Sequence, residues 1–376
     1  MSNRWTGGFI QAFFDPLTEG PTTAFLYGWG RNDIGQIGDG TAISRSSPVQ
    51  IGSENTWAEV GNYSTGGGAV KNNGTLWTWG LSSTGQLGNN ANITSSSPVQ
   101  VGALTTWSKI SKGGVNAGAF YAVKTDGSLW AWGNGGSGRL GQNNTITYSS
   151  PVQIGSLTTW LEAAAGTYHA LALKTDGSLW AWGNNGWGNL GDNNTVYKSS
   201  PVQVGALTDW VGISAGAECS FGVRSNGTVW SWGNGSGGRG GRGNVLAVSS
   251  PTQIGTLTNW GSQISSGGSF YIVKTDGTLW AWGSNSSGEL GQNNTTTASS
   301  PVQVGSLTDW YKVSVGNEFG YAIKTDGTLW AIGAASFGKL GNNTSTGNVS
   351  SPIQIGSDTS WYDIAAQSSS INATKE

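Results

Sequence analysis

The sequence has few of the residues that usually carry catalytic or metal chemistry. Its 376 residues include one cysteine, Cys219, and one histidine, His169. A single cysteine excludes an internal disulfide framework and a cysteine-based zinc site, and a lone histidine cannot form a metal site that needs several histidines. We therefore expect no metal, no cofactor and no enzymatic activity.

Charge and long apolar runs are also scarce. Charged residues make up 10% of the chain and the formal net charge is −2, so the electrostatic attraction that drives binding to nucleic acid or anionic membranes is missing. No segment approaches a membrane-spanning length, and the first 20 residues hold no apolar run of signal-peptide length. We expect no nucleic-acid partner and no membrane insertion.

Glycine and tryptophan are abundant instead, with 63 and 21 residues, and both are periodic. Three markers each occur seven times. The glycine that closes "WG" or "IG" lies at Gly30, Gly80, Gly133, Gly183, Gly233, Gly283 and Gly333. The proline of "SSP" lies at Pro48, Pro98, Pro151, Pro201, Pro251, Pro301 and Pro352, and a tryptophan follows each proline nine residues later. A period near 50 residues is typical of propellers and related arrays.

Each repeat has the pattern of short β-strands. In "ALALKTDGSLWAWG" (170–183) two β-favouring runs flank Thr-Asp-Gly, which suits a tight hairpin turn. Trp180 and Trp182 then point to one face of the sheet, and Leu179 and Ala181 point to the other, which suits sheets stacked face to face. "SSPVQVG" and the segment after the third marker each supply one more strand. Four short strands per repeat make a propeller blade.

The two ends of the repeat array complement each other. The first copy begins at Phe25 and lacks the strand that precedes "LWAWG" elsewhere, whereas the last copy ends in "INATKE" (371–376) and lacks the strand that follows. Pairing these two strands would complete a seventh blade and remove exposed sheet edges. We predict an all-β fold, a seven-bladed β-propeller over residues 25–376 that is closed by its terminal strands.

The repeat resembles that of the regulator of chromosome condensation family. The resemblance rests on "HALALKTDGSLWAWGNNGWGNLGDNN" (169–194) and on counterparts such as "GWGRNDIGQIGDGT" (28–41), and it extends over residues 25–376. It implies a seven-bladed propeller. Members of the family include a nucleotide exchange factor for a small GTPase, a plant ultraviolet photoreceptor, a secreted β-lactamase inhibitor and ubiquitin ligase modules, so the resemblance implies no single function.

Within that family, the exchange factor would imply a basic tail and a wedge inserted in one blade, and neither is visible here. The photoreceptor's cross-dimer arginines cannot be identified either. The asparagine-rich, nearly neutral copies look more like bacterial and bacteriophage members. We therefore predict a non-enzymatic interaction or structural protein, associated with a bacteriophage virion and located in the virion or outside the cell. The alternative is a secreted or surface bacterial adhesin or inhibitor that binds a protein or a glycan.

The first 24 residues have no counterpart in the repeats. They look like the tethering arms of some virion proteins, and we predict that they form a docking arm for capsid or tail proteins. Its apolar contact residues would be Trp5, Phe9, Ile10, Phe13 and Phe14. The alternative is that this arm folds back over the central opening or a face of the propeller.

The loop after each "WG" varies among the copies. Of the 21 tryptophans, 19 occupy the repeat markers, and only Trp5 and Trp187 do not. Aromatic residues dominate interface hot spots, so Trp187 is a candidate contact residue, although it could also cover a blade edge. Ile34 and Phe337 have the same position in the first and last copies, which ring closure would bring together. The loop residues predicted to bind a protein partner, or a host-surface glycan, are Trp187, Phe337, Ile34, Arg239, Arg242, Tyr148 and Tyr197.

Three other features could have a functional role, but each also has a purely structural interpretation. The glycine-rich segment 233–243 could be merely flexible, or its arginines could contact a carboxylate on a partner or a glycan. The lysine and aspartate of the repeated "KTDG" are expected to be solvated hairpin ends and turn formers. His169 and Cys219 could form a dyad, but a structural histidine and a buried apolar cysteine are the favoured interpretation. No clustered acid, base and nucleophile set indicates an enzyme in the central channel.

Overall fold

The computed structural model describes residues 23–112 and 118–376. Within these ranges 28 strands form seven four-stranded antiparallel sheets, with no crossover inside a sheet. Each sheet is a blade whose strands we call A to D from the central axis outward. The predicted docking arm, including Trp5, Phe9, Ile10, Phe13 and Phe14, lies almost wholly outside the described residues, so that prediction stays open.

The closing blade, blade 7, combines the two ends of the chain. Its C and D strands are β1 (Phe25–Gly30) and β2 (Arg45–Gln50). Its A and B strands are β27 (Trp361–Ala366) and β28 (Ser370–Lys375). Strands β1 and β28 pair antiparallel from Phe25 opposite Lys375 to Gly30 opposite Ser370. The predicted closure by the terminal strands is therefore confirmed.

Blades 1 to 6 follow in chain order, each with strands A to D in sequence. Blades 1 and 2 contain β3 (Trp57–Tyr63), β4 (Gly66–Lys71), β5 (Leu76–Gly80), β6 (Ser95–Gln100), β7 (Trp107–Ile110), β8 (Ala119–Lys124), β9 (Leu129–Gly133) and β10 (Tyr148–Gln153). Blades 3 and 4 contain β11 (Trp160–Ala165), β12 (His169–Lys174), β13 (Leu179–Gly183), β14 (Lys198–Gln203), β15 (Trp210–Ala215), β16 (Cys219–Arg224), β17 (Val229–Gly233) and β18 (Val248–Gln253). Blades 5 and 6 contain β19 (Trp260–Ser266), β20 (Ser269–Lys274), β21 (Leu279–Gly283), β22 (Ala298–Gln303), β23 (Trp310–Val315), β24 (Phe319–Lys324), β25 (Leu329–Gly333) and β26 (Val349–Gln354).

Three single-turn 3₁₀ segments lie in the loops between strands C and D, at Gly136–Gly138, Ser236–Gly238 and Ser336–Gly338. Among the described residues, no helix has the length and apolar character needed to cross a membrane.

The alternation of "LWAWG" stacks the blades as predicted. Trp180 and Trp182 pack against residues of blade 2, whereas Leu179 and Ala181 pack against blade 4. The buried indole of Trp182 also donates its Nε1 hydrogen to the carbonyl oxygen of Arg139 in blade 2, at 2.7 Å. Equivalent bonds join Trp79 to Gln36, Trp132 to Gln86, Trp232 to Asn189 and Trp282 to Arg239. Each such tryptophan thus both fills an interblade core and satisfies a loop carbonyl.

The turns between strands B and C confirm the assignment of "KTDG". The Asp176 carboxylate accepts hydrogen bonds from the backbone N–H and the hydroxyl of Ser178, at 2.9 and 2.6 Å. Gly177 adopts a φ of +76°, a conformation that favours glycine. These bonds hold the pKa of Asp176 below its ordinary value, with the Ser178 side chain as the main cause. The aspartate is a turn former.

The lysine of the same motif is not a solvated hairpin end, and that expectation was wrong. Lys174 is only 8% exposed, and its Nζ lies 3.6 Å from the ring centre of Trp180 and 4.9 Å from that of Trp160. The same clamp recurs at Lys71, Lys124, Lys274 and Lys324, and Arg224 and Lys375 occupy the corresponding position in the two other blades. Burial lowers the pKa of Lys174, and the aromatic faces offset part of that desolvation cost.

Candidate functional site

The propeller has two different faces. The turns between strands B and C and the connections from strand D to the next strand A lie at one end of the blades, which we call the turn face. The A–B and C–D loops lie at the other end, which we call the loop face. All loop residues predicted to bind a partner belong to the C–D loops of the loop face or to the strands next to them.

The C–D loop of blade 3 is held by the side chain of Asn185. Its Nδ2 donates to the Asp192 carboxylate and to the carbonyl of Val196, at 2.9 and 3.2 Å, and its Oδ1 accepts from the N–H of Leu190 at 2.9 Å. Leu190 is fully buried and anchors the base of the loop. Trp187 therefore extends from a braced loop, and its side chain is 49% exposed.

A second asparagine joins Trp187's loop to two tyrosines. Asn184 donates its backbone N–H to the carbonyl of Tyr168 at 2.9 Å and its side-chain Nδ2 to the hydroxyl of Tyr197 at 2.7 Å. Its Oδ1 accepts from the N–H of Gly186, the residue before Trp187, at 2.9 Å. Tyr168 and Tyr197 are 45% and 51% exposed.

We call Tyr168, Trp187, Val196 and Tyr197 the blade 3 patch. Val196 is exposed next to Tyr197. On the side of blade 2, the guanidinium carbon of Arg139 lies 4.9 Å from the ring centre of Tyr168, and its Nη1 donates to the carbonyl of Thr167 at 2.7 Å. The patch is thus an exposed apolar surface whose loops are fixed by internal hydrogen bonds.

Tyr168 was missed in the sequence because it lies in an A–B loop rather than in the variable C–D loop. The equivalent residues in the other copies are Thr65, Gly118, Glu218, Gly268, Glu318 and Ser369. At the position of Tyr197 the other copies carry Ser44, Thr94, Thr147, Ala247, Thr297 and Asn348. Comparing each loop position across the seven copies would have identified blade 3 as the aromatic one.

Phe337 is separate from this patch, in blade 6. It is 51% exposed and adopts a φ of +61°, which costs a non-glycine residue about 1–2 kcal/mol. Ring closure brings the C–D loop of blade 7 beside it, and the guanidinium carbon of Arg31 lies 5.1 Å from the phenyl ring centre; a contact of Phe337 with Ile34 stays a prediction. Ile34 belongs to that neighbouring loop and is half-buried.

The two glycine-rich-loop arginines differ in their surroundings. Arg242 donates from Nη1 to the hydroxyl of Ser231 at 2.7 Å and from Nη2 to the carbonyl of Leu246 at 2.5 Å. Its guanidinium occupies the space beside Gly240, where the other copies have a larger apolar residue, and burial lowers its pKa. Arg242 therefore has a structural role that the sequence did not reveal, and its contact with a partner stays a prediction, as does that of half-buried Arg239.

Tyr148 is half-buried in blade 2, where its hydroxyl accepts a hydrogen bond from Asn144 Nδ2 at 3.1 Å. It therefore offers less free surface than Tyr197, whose exposed ring lies beside Gly186. A partner contact at Tyr148 also stays a prediction.

His169 and Cys219 do not form the dyad considered above. The partner of His169 Nε2 is the hydroxyl of Ser220 at 2.8 Å, and that hydroxyl donates to the carbonyl of Asn189 at 2.7 Å. His169 Nε2 is consequently the donor. Burial lowers the pKa of His169 to about 4 and raises that of Cys219 to about 12, so both are neutral near pH 7. His169 is buried in the junction between blades 3 and 4, whereas Cys219 is buried in the core between blades 4 and 5.

The central channel holds a charged ring that the sequence analysis missed. The second residue after each A-strand tryptophan is Glu59, Lys109, Glu162, Gly212, Ser262, Lys312 or Asp363. In six blades the A strand changes register between that tryptophan and this residue. Such bulges redirect side chains, and all seven residues line one cavity of about 490 Å³. The repeat period in the sequence shows that these seven residues are equivalent. It does not show that their side chains face the central axis, because that orientation depends on the bulge.

One side of this cavity is neutralised internally. Asp363 is buried and accepts hydrogen bonds from Lys112 Nζ at 2.6 Å, from Lys312 Nζ at 3.2 Å and from the backbone N–H of Val60 at 3.3 Å. Burial alone would raise the pKa of Asp363, but the two ammonium groups hold it well below its usual range. Asp363 is therefore ionised at neutral pH, and both lysines are engaged by it.

The other side has fewer internal partners. Lys109 Nζ lies 4.0 Å from Glu59 Oε2, and Glu59 Oε1 also accepts a long hydrogen bond from the N–H of Ile110 at 3.5 Å. Glu162 has neither a hydrogen bond nor an ion pair within 23–112 and 118–376, and burial raises its pKa to about 7 against the opposing effect of Lys109. Over the same ranges, no three histidine, cysteine, aspartate or glutamate side chains are placed to hold a metal ion together.

Comparison with known proteins agrees with this geometry. Residues 25–373 match the model of the RCC1-like domain. No curated protein sequence is significantly similar to the chain. Among solved structures, Prp20p from Saccharomyces cerevisiae superposes with a TM-score of 0.81 at 18% identity, covering 94% of this chain and 92% of Prp20p. Human WBSCR16 superposes with a TM-score of 0.81 at 16% identity, covering 94% of this chain and 99% of WBSCR16.

At these identities the solved structures establish the fold and nothing about partners or activity. The family match extends from the first strand, β1, into the last strand, β28, and therefore includes all seven blades and their closure. The chain belongs to the RCC1-like domain family.

Proposed function

We propose that this protein is a non-enzymatic interaction propeller that binds a protein partner through the blade 3 patch. The observation that carries the proposal is the arrangement around Asn184, which fixes the loops of three exposed aromatic residues without burying their rings. Rigid aromatic side chains lose little entropy on binding, and tryptophan, tyrosine and arginine are enriched in interface hot spots. Arg139 is buried beneath this surface, where its guanidinium group packs against the ring of Tyr168 and supports it.

Structural relatives are consistent with a protein partner. A solved structure of Prp20p is described together with its binding properties to Gsp1p and histones, and another contains Kap60 bound to the same yeast protein. These partners belong to Prp20p. They support only the general idea that a propeller of this family can present a protein-binding surface.

The experiment begins with affinity purification of partners from the organism that makes this protein, followed by a direct measurement of affinity. Trp187→Ala is expected to weaken binding at least about 30-fold, because truncating a hot-spot residue costs about 2 kcal/mol or more. Leu207→Ala is the matched control, since Leu207 is an exposed apolar residue on the turn face. Equal affinity of Trp187→Ala and the unsubstituted protein, with both folded, would refute the assignment of the patch.

We further propose a bacteriophage virion as the setting, with residues 1–24 as the docking arm and the loop face directed outward. Its support is the asparagine-rich composition and the low net charge of −2. Mass spectrometry of purified particles tests this setting, and absence of the protein from them would contradict it. A secreted adhesin or inhibitor is the alternative setting, and binding to a glycan array that is lost in Trp187→Ala would favour it.

A further inference from the structure

The central channel has an imbalance of charge on one side. Lys112 and Lys312 are both engaged by Asp363, so Lys109 is the cation that remains near the two carboxylates Glu59 and Glu162. Lys109 is closer to Glu59, at 4.0 Å, and leaves Glu162 without an ion pair among the described residues. The three lysines and three carboxylates that line the cavity balance in total charge, but Glu162 is the carboxylate that has no direct hydrogen bond or ion pair among the described residues.

The wall next to Glu162 provides room for a ligand. The residues that follow it around the ring are Gly212 in blade 4 and Ser262 in blade 5, which carry no charge and little side-chain volume. Val211 lines the same cavity, and its side chain is exposed. A carboxylate and the apolar side chain of Val211 thus line the same cavity of about 490 Å³.

We propose that the central channel binds an alkyl ammonium or alkyl guanidinium group, with its cation at the Glu162 carboxylate and its alkyl chain against Val211. The cation supplies the direct ion-pair partner that Glu162 lacks, and the apolar side chain of Val211 favours a carbon chain over a hydrated metal ion. The ligand is either a free small amine or the lysine or arginine side chain of a partner. This site is independent of the blade 3 patch, which lies on loops outside the channel.

The site has a specific dependence on pH. Binding requires ionised Glu162, whose pKa is raised to about 7 by burial. The charged groups that face it are Lys109 and Lys112 from blade 2 and Glu59 from blade 1, while blades 4 and 5 contribute uncharged Gly212 and Ser262. The ionised fraction of a group with a pKa near 7 rises about tenfold between pH 6 and pH 8.5. Affinity should rise with pH over this interval by a similar factor.

The test is calorimetric titration of the full chain with n-butylguanidinium chloride at low salt, at pH 6 and pH 8.5. The unsubstituted protein should bind about tenfold more tightly at the higher pH. Glu162→Gln should bind at least tenfold more weakly at pH 8.5 and lose the pH dependence, whereas Glu162→Asp should retain binding. Glu54→Gln, which removes a carboxylate on the turn face outside the channel, should behave like the unsubstituted protein.

A cyclic peptide that displays one arginine separates the two sources of the ligand. Binding of the peptide more than tenfold tighter than that of butylguanidinium assigns the cation to a partner's side chain, and comparable affinities assign it to a free amine. Absence of binding by both probes, or titrations of Glu162→Gln that match those of the unsubstituted protein, would overturn the proposal. Melting curves for each variant confirm that loss of binding does not reflect loss of folding.

Discussion

The substitution Glu162→Gln should change the pH dependence of stability in a direction that the channel geometry determines. Burial raises the pKa of Glu162 from 4.5 to about 7, so the folded state holds this proton more tightly than the unfolded state does. Because ionisation of Glu162 is harder in the folded state, the free energy of unfolding decreases at pH values where the carboxyl group is ionised. The penalty is absent below pH 4.5, grows between pH 4.5 and 7, and is complete above pH 7.

The size of the penalty follows from the two pKa values. The difference between 4.5 and about 7 corresponds to at most about 3.4 kcal/mol, at about 1.36 kcal/mol per pKa unit. Water in the channel screens the charge, so we expect about 1–2 kcal/mol. Glutamine has nearly the same shape and does not titrate. Glu162→Gln should therefore be more stable than the unsubstituted protein by about 1–2 kcal/mol at pH 8.5, relative to the difference at pH 4.

Urea denaturation at pH 4 and pH 8.5 measures this quantity directly, because only the change in relative stability between the two pH values matters. Titrating groups that do not interact with Glu162 contribute equally to both proteins and cancel. Glu54→Gln serves as the control for loss of a carboxylate outside the channel. A relative stability of Glu162→Gln that is independent of pH, or that falls as the pH rises, would refute the reasoning. It would mean that Glu162 is hydrated or paired in solution.

Three further substitutions test the architecture. Trp182→Phe removes the hydrogen bond to the Arg139 carbonyl and part of an interblade core, and should lower the free energy of unfolding by about 2–4 kcal/mol in urea denaturation. Lys174→Met keeps the alkyl stem but removes the cation between two indoles, and should cost about 0.5–1 kcal/mol by the same measurement; a gain in stability would contradict the clamp. Asn184→Ala should accelerate amide hydrogen exchange at Gly186 while leaving the melting temperature within a few degrees, because it releases the loop rather than the core.

Much of the fold could be predicted from the sequence because the same physical demands recur in every copy. "LWAWG" had to place large rings on one face and small groups on the other, and the structure packs Trp182 and Ala181 accordingly. The split hairpin at the two ends predicted the pairing of β1 with β28. Repetition made each of these inferences testable against six other copies.

The features that were missed depend on distances between segments. Lys174 lies at the end of a hairpin, where solvation is the ordinary expectation, but the folded chain brings Trp160 from another strand over its ammonium group. Likewise, the sequence around Glu162 does not indicate which way its side chain points. The register shift between Trp160 and Glu162 is what directs that side chain into the channel. Neither contact follows from the period-two alternation of a single strand.

The candidate partner surface was predictable only in part. Trp187 was identified because it departs from the tryptophan markers, and Tyr197 because it lies in the same variable loop. Tyr168 comes from the A–B loop and joins them through a backbone hydrogen bond to Asn184 that recurs in other blades, so only a comparison of side chains across the copies distinguishes it. Arg242, by contrast, was predicted to contact a partner, but in the folded protein its guanidinium donates a hydrogen bond to the hydroxyl of Ser231.

The central claim is that the blade 3 patch contacts a protein partner, and site-specific photo-crosslinking tests it most directly. A photoreactive phenylalanine analogue would replace Tyr197 in one protein and Leu207, on the opposite turn face, in another; both positions are exposed. Each protein would be irradiated in extracts of the organism that makes it, and the adducts identified by mass spectrometry. A discrete adduct with one protein at position 197 and none at position 207 is the predicted result. Adducts at position 207 alone would place the partner on the other face and contradict the account.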